Sequence, residues 1–283
     1  MVRKEGVEGE VLSLNRQFNI LSAGIAAAVI VFIVVAFLPE GEKHPMDIKV
    51  ERIFEIADSA VVPEVGYDYE GPGREEWFDP NSYFRVLEHL SIRSGYTIDY
   101  VYRAYPVYFV PYIKPLKTRP LNSIAEVMAF MKEDTLFSDT HSPLFWVDTS
   151  KEWIGYVDVD DTEGSYVELM ILYFIGDPYS MYEEFRRIPV FSKSGLRDVV
   201  RREERDAFVT LSALMRGVNR LKNFSFEPQT VFKGDTAIVR CCFLSKWDGL
   251  NEGRYWISRS IPHVILKEET KNIVKSNLNP PFH

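Results

Sequence analysis

The longest apolar run of the chain predicts a membrane-spanning helix near the N-terminus. Ile20–Leu38 contains one polar side chain, Ser22, and no ionisable group lies between Arg16 and Glu40. A helix of these 19 residues rises about 30 Å, which matches the hydrocarbon core of a bilayer. We therefore interpret the run as an uncleaved signal-anchor of a single-pass membrane protein, which contacts the lipid bilayer through residues 20–38.

Two other interpretations of this run stay open. A cleaved secretory signal has an apolar region of about 7–15 residues, shorter than this one, although Val34 and Ala36 satisfy the small-residue rule for cleavage. A buried core helix would need protein on every side of it. The anchor interpretation divides the chain into a tail, a transmembrane helix, a linker and a soluble domain, at 1–19, 20–38, 39–50 and 51–283.

Basic residues on either side of the run indicate its orientation. The α-amino group and three side chains precede the run, and three basic side chains follow it over a similar distance: Arg3, Lys4 and Arg16, then Lys43, Lys49 and Arg52. Positive charge is retained on the cytoplasmic side of a membrane. This difference favours a cytoplasmic N-terminus, so we expect the soluble domain to be extracytoplasmic.

Helical periodicity predicts three helices in the soluble domain. Asp79-Pro80 is a good helix start, since Asp caps the first turn and Pro suits the first position. This helix is predicted to end near Ser94-Gly95. Apolar spacings of three and four then predict a short helix at Asn122–Met131 and a long helix at Ser194–Leu221.

Extended patterns separate these helices and predict antiparallel strands. The predicted strands are Thr97–Arg103, Pro106–Ile113, Ile154–Val159, Val167–Ile175, Tyr179–Ile188, Thr230–Phe232, Thr236–Leu244 and Arg254–Ile261. Val167–Ile175 is apolar on both faces, which is typical of a central strand, and the acidic residues Asp160–Gly164 before it are interpreted as a turn. The polar tail after Glu268 is predicted to fray.

The order of these elements favours the α+β class. We expect a twisted antiparallel sheet of five to seven strands with the long helix packed on one face. The region 78–130 is either an integral part of this domain or a small subdomain.

Net charge excludes one class of partner. The chain carries a net charge of −8, and its first 39 residues contain three basic and three acidic side chains. Residues 40–283 therefore carry the whole negative charge. Binding to nucleic acid needs clustered Lys and Arg, so we expect no nucleic-acid partner.

Motifs for metal, cofactor or covalent chemistry are missing from the sequence. The acidic turn Asp158–Gly164 fails the EF-hand spacing, and the five histidines lack zinc-binding spacing. Cys241 and Cys242 are neighbours, so in a strand they point to opposite faces and do not bond each other. They are interpreted as buried strand residues, with a catalytic cysteine as the alternative. We predict no metal and no cofactor.

A C-terminal hairpin rich in Trp and Arg is the main candidate for a binding site. Its candidate ligand-binding residues are Trp247, Arg254, Trp256, Arg259 and His263. Aromatic and guanidinium groups together suit an anionic or sugar-like ligand, or a protein contact. The alternative is a stable hairpin with cross-strand cation–aromatic pairs.

A second aromatic cluster lies in the segment interrupted by prolines. It consists of Tyr100, Tyr102, Tyr105, Tyr108, Phe109 and Tyr112. Tyrosine buries its ring while its hydroxyl stays hydrated, so the cluster suits a recognition surface. Core packing of an edge segment explains it equally well.

These features lead to three hypotheses of function. The first is a membrane-anchored domain that binds an unknown protein or small-molecule ligand. The second is an anchored hydrolase of envelope or lipid material, with Asp248, Glu252 and His263 as acid–base groups near one hairpin end. The third is a structural assembly component that associates through Ala207–Leu221. Without a nucleophile motif, whether the protein is an enzyme stays undecided.

Overall fold

The computed structural model describes most of the chain from Glu42 onward. The described residues are 42–61, 63–104, 107–133, 153–175, 187–203, 214, 216–220, 224–245 and 248–275. The predicted transmembrane segment at 20–38 lies outside them. Within the described part, no helix is long and apolar enough to cross a membrane.

The described part of the chain combines helices with antiparallel strands. The α-helices are α1 (Pro45–Asp58), α2 (Ile124–Glu133), α3 (Glu163–Ile175) and α4 (Lys193–Glu203), with 3-10 turns at Pro80–Arg85 and Trp153–Tyr156. The strands are β1 (Glu70–Pro72), β2 (Leu90–Ile92), β3 (Tyr96–Ala104), β4 (Val107–Pro115), β5 (Val157–Val159), β6 (Arg187–Val190), β7 (Gln229–Lys233), β8 (Thr236–Ser245), β9 (Gly249–Ser258) and β10 (Ile265–Val274).

These strands form three antiparallel sheets in one compact unit that begins at Lys43. The largest has the order β10-β9-β8-β6, with β7 paired beside β6 along the same edge of β8. A second sheet has the order β1-β3-β4, and β2 pairs with β5. The α+β class with antiparallel sheets is confirmed. Helix α1 begins inside the segment 39–50 that was expected to be a linker.

Helix α3 corrects the prediction of a central strand at Val167–Ile175. Ten of its residues are buried, on all sides of the helix. A short apolar run of this kind does not distinguish a buried helix from a buried strand by periodicity. The acidic residues before it join β5 to α3 and do not form a hairpin. Thr162 and Ser165 cap the helix, because each backbone N–H donates to the other's hydroxyl, at 3.2 and 3.3 Å.

Aromatic side chains join α3 to one face of the large sheet. The ring pairs are Tyr166–Phe232, Phe174–Phe243, Phe174–Tyr255 and Tyr173–Tyr255, with centroids 5.4–6.2 Å apart. Helix α3 thus packs on this face of the large sheet. The helix that was expected to pack on the sheet begins near Ser194, and its described residues also contact the sheet, since α4 contacts β6 and Gly217 lies against Val274 of β10.

Two further predictions of local structure are wrong. Asp79 caps a helix as predicted, since its Oδ1 accepts from Asn81 N–H at 3.0 Å, but this helix is a 3-10 turn that ends at Arg85. Beyond it, residues Leu90–Ile92 pair with β5, so tertiary pairing overrides the helical periodicity. The residues directly after Glu268 are not frayed, because they form part of β10, which continues to Val274. Its polar pattern reflects an edge strand that is mostly exposed.

Several predicted elements lie partly outside the described residues. The range of the predicted long helix includes α4 and helical residues at 214 and 216–220, and the other residues of that range after α4 lie outside the described part. Only the end of the strand predicted at Tyr179–Ile188 is described, as the start of β6.

A buried ion pair connects α1, α3 and the turn before β2. Glu168 of α3 is fully buried, and its Oε1 lies 2.7 Å from Lys49 Nζ. Its Oε2 accepts the backbone N–H of His89 at 3.0 Å, and Lys49 Nζ also donates to Val86 O at 3.1 Å. Because a buried carboxylate is costly unless it is paired and hydrogen-bonded, this arrangement specifies how the three segments meet.

We expect Glu168→Gln to destabilise the fold strongly. The neutral amide leaves the Lys49 ammonium, whose side chain is 19% exposed, without its buried counter-charge. Breaking such a pair costs about 3 kcal/mol in the free energy of unfolding. Urea denaturation measures this loss. The matched control is Glu51→Gln, which breaks the more exposed pair with Lys43 and is expected to cost below about 1 kcal/mol. Equal losses in the two variants would contradict the structural role of Glu168.

Candidate functional site

The large sheet has one face covered by α3 and one that is partly open to solvent. In β9, Tyr255 and Ile257 are buried on the side of α3, whereas Arg254 and Trp256 alternate with them on the other side. We call the solvent-accessible part of that other side, formed by β7–β10, the open face. Nearer to β6 the same side is closed, since Leu244 and Leu250 are buried.

An apolar row crosses the open face at right angles to the strands. The strand register places Val231 of β7 opposite Ile238 of β8, and Ile238 opposite Trp256 of β9. Val231 is 52% exposed, and Ile238 and Trp256 are partly exposed. Neighbouring strands are about 5 Å apart, so the row spans about 10 Å. An aromatic ring and two β-branched side chains therefore meet solvent together.

Two cations flank Trp256 on this face. Lys267 Nζ of β10 lies 4.6 Å from the centroid of its ring, and the Arg254 guanidinium lies 6.0 Å from it. Lys267 also pairs with Glu269 at 2.6 Å. Trp256 thus has a cross-strand cation–aromatic contact with Lys267, which lies outside the segment for which such pairs were the alternative interpretation. Arg254 is exposed and has no carboxylate partner among the described residues.

The charge of the open face is opposite to that of the chain. Its basic side chains are Lys233, Arg240, Arg254, Lys267 and Lys271, and its acidic side chains are Glu252 and Glu269. Five basic against two acidic groups give the face a net charge of +3, on a chain whose net charge is −8. The positive charge is therefore local.

Arg259 and His263 lie beyond the end of β9 and do not belong to the open face. Arg259 Nε donates to Asp161 Oδ1 at 2.9 Å, and this contact lowers the pKa of Asp161. His263 is buried, with Nδ1 3.0 Å from Ser258 O and its ring packed edge-on against Tyr166. Both residues hold the β9–β10 connection against the start of α3. Trp247, the fifth candidate, lies outside the described residues.

The three acid–base groups of the hydrolase hypothesis are not brought together. Asp248 precedes β9 and His263 follows it, so the ten residues of that strand, about 30 Å long, lie between them. Glu252 accepts from Arg240 Nε and Nη2, at 2.9 and 2.6 Å. The expectation that these groups lie near one hairpin end is wrong, because the hairpin runs the full length of β9.

Both cysteines are buried and unbonded, as the sequence predicted. Burial raises the pKa of Cys242 to about 12 and raises that of Cys241 as well. Such thiols stay protonated at neutral pH, so neither residue is suited to nucleophilic catalysis.

Three tyrosines of the second aromatic cluster, on β3 and β4, belong to the core. Tyr100, Tyr102 and Tyr112 are at most 2% exposed. Tyr100 also closes a turn, since its hydroxyl donates to Arg74 O at 2.6 Å. The hypothesis that these three residues form a recognition surface is therefore wrong. The side chains of Tyr105, Tyr108 and Phe109 lie outside the description.

A groove lies between α1 and α4 in the described part of the chain. Its volume is about 100 Å³, and Asp47, Phe54 and Val199 are among its lining residues. Ligand pockets usually enclose about 300–1,000 Å³. Lys43 also lines the groove, but its Nζ is already paired with Asp198 Oδ2 at 2.9 Å and Glu51 Oε1 at 2.6 Å. The groove is therefore a weaker candidate than the open face.

The sequence identified Arg254 and Trp256 but missed their neighbours on the open face. Val231 and Ile238 were missed because the register of the strands places them beside Trp256. Lys267 was missed because it lies on β10, a strand that was not predicted. The part of the chain that the structure describes contains no group of three His, Cys, Asp or Glu side chains able to hold a metal ion. Comparisons of the chain with protein-family models, curated proteins and solved structures found no match.

The buried carboxylate of the groove makes stability depend on pH. Burial raises the pKa of Asp47, although Ser192 Oγ and Phe191 N–H donate to it at 2.6 and 2.8 Å. The folded state therefore keeps this proton to higher pH than the unfolded chain does. The contribution of Asp47 to the free energy of unfolding therefore falls as the pH rises. This fall takes place between the ordinary carboxyl pKa of about 4 and the raised pKa of the folded state.

We expect Asp47→Asn to remove this dependence. Between these two pKa values, the free energy of unfolding of the variant should rise relative to that of the wild type as the pH increases, because the amide does not ionise. Urea denaturation of both proteins at several pH values between about 4 and 7 measures the difference. A difference that stays constant over this range would contradict the raised pKa.

Proposed function

We propose that the protein is a membrane-anchored binding domain that captures a partner protein on its open face. The observation that carries this proposal is the row of Val231, Ile238 and Trp256 at the surface, next to Arg254, which has no carboxylate partner among the described residues. Trp and Arg are the residue types that contribute most to the binding energy of protein interfaces. An apolar row with a polar rim is the usual composition of such a surface.

The anchor is a proposal from sequence. Ile20–Leu38 has the length and composition of a transmembrane helix, and the basic residues around it favour an extracytoplasmic domain. An anchored domain with a binding face would meet its partner at the membrane surface or on a neighbouring membrane protein.

Binding is better supported than catalysis. The acid–base groups proposed for a hydrolase lie at opposite ends of β9 or in an ion pair, and both thiols are buried. The open face, in contrast, brings three apolar side chains together at the surface, fully or partly exposed. Burial of the apolar row gains about 25 cal/mol per Å² of apolar surface.

Site-specific photo-crosslinking of the full chain in the membranes of cells that make it tests this function. A photo-reactive amino acid at position 231 should give a discrete crosslinked species, whereas the same group at position 116 should not. Val231 and Leu116 are 52% and 62% exposed, and Leu116 follows the edge strand of a different sheet.

Trp256→Ala is expected to reduce the crosslink at position 231 by about tenfold or more, as loss of an interface hot spot does. Leu116→Ala is the matched control and should leave the yield unchanged. The proposal is wrong if position 231 gives no species of its own, or if the yield is independent of Trp256.

A further inference from the structure

The charge of the open face restricts the chemistry of its partner. An excess of three positive charges on an acidic chain raises the local concentration of anions at this face and repels basic partners. Arg254 offers a planar guanidinium that binds carboxylates through two parallel hydrogen bonds. An anionic partner is therefore favoured over a neutral or basic one.

The spacing of the rows fits an extended peptide. The row next to the apolar one contains Gln229, Arg240 and Arg254, which the register places side by side on β7, β8 and β9. Positions two residues apart along a strand are about 7 Å apart, which is also the separation of alternate side chains in an extended peptide. A peptide parallel to the strands would place an apolar side chain on Trp256 and a carboxylate on Arg254.

An acidic peptide explains the mixed charges better than a lipid surface does. Anionic bilayers favour surfaces of uniformly positive charge, because each Lys or Arg contributes and each acid opposes. Here Glu269 lies directly opposite Arg254, and Glu252 binds Arg240. Trp256 is only partly exposed and is flanked by two cations, so its ring does not project as a membrane-inserting residue would.

We propose that the open face binds an extended acidic segment of the partner protein, in which a carboxylate lies two residues from an apolar side chain. Arg254 receives the carboxylate, and the row of Val231, Ile238 and Trp256 receives the apolar side chain. The inference rests on the proposed binding function and adds the chemistry of its partner.

Selection of a random dodecapeptide phage library on the full chain, in uncharged detergent, tests the proposal. The wild type should enrich peptides with Asp or Glu two positions from an aromatic or aliphatic residue. The double variant Arg254→Glu/Lys267→Glu should instead enrich peptides with Lys or Arg. The control Lys117→Glu/Lys193→Glu has the same net charge, alters exposed lysines outside the open face and should select as the wild type does.

Affinity of the most enriched acidic peptide gives the second measurement. Its dissociation constant should rise about tenfold or more in the Arg254→Glu/Lys267→Glu variant, and by about the same factor when Gln replaces its Glu residues. Circular dichroism checks that the variants fold, which is expected because both side chains are exposed.

Three outcomes would overturn the proposal. The first is a selection without acidic enrichment, or with the same enrichment in the double variant. The second is Arg254-dependent flotation with phosphatidylglycerol vesicles and no peptide enrichment, which assigns the face to lipid. The third is a dimer of the full chain that the double variant dissociates, which assigns it to a second copy. If the crosslink at position 231 persists in the first case, the binding function stands and only the acidic chemistry is wrong.

Discussion

The buried carboxylate of Glu168 is the constraint on which the arrangement of the domain depends. It lies in the middle of α3, where no water reaches it, and it is satisfied only when Lys49 of α1 and the backbone N–H of His89 are both in place. An unpaired carboxylate in this position would be too costly to bury. The helix therefore has one position relative to α1 and to the turn before β2. The apolar surface of α3 favours burial in general, and the ion pair selects the orientation.

The orientation of α3 in turn decides which face of the large sheet is free. Its aromatic residues pack on Phe232, Phe243 and Tyr255, so strand alternation places Arg254 and Trp256 on the opposite side. The contact of Arg259 with Asp161 holds the β9–β10 connection against the same helix. Arg259 is thereby used for structure and Arg254 is left available for binding.

Local signals allowed some of these features to be predicted from the sequence. Asp79 as a helix cap, the strands at Thr230–Phe232 and Thr236–Leu244 and the buried cysteines all follow from nearest neighbours. Helix α3 was missed, because a run that is buried on all sides has no periodicity. Strand β10 was missed because an exposed edge strand is polar. The membership of Val231 and Ile238 in the candidate site depends on pairing between strands, and local patterns do not encode that register.

Hydroxyl-radical footprinting of Trp256 tests most directly whether the open face is occupied. The full chain is oxidised once in the membranes of the cells that make it and once after purification in detergent, with Tyr67, 65% exposed, as the internal reference. If the face binds a partner, Trp256 is oxidised several-fold more slowly in the native membranes than in the purified protein, and Tyr67 reacts equally in both. Equal oxidation of Trp256 in the two states would contradict the account.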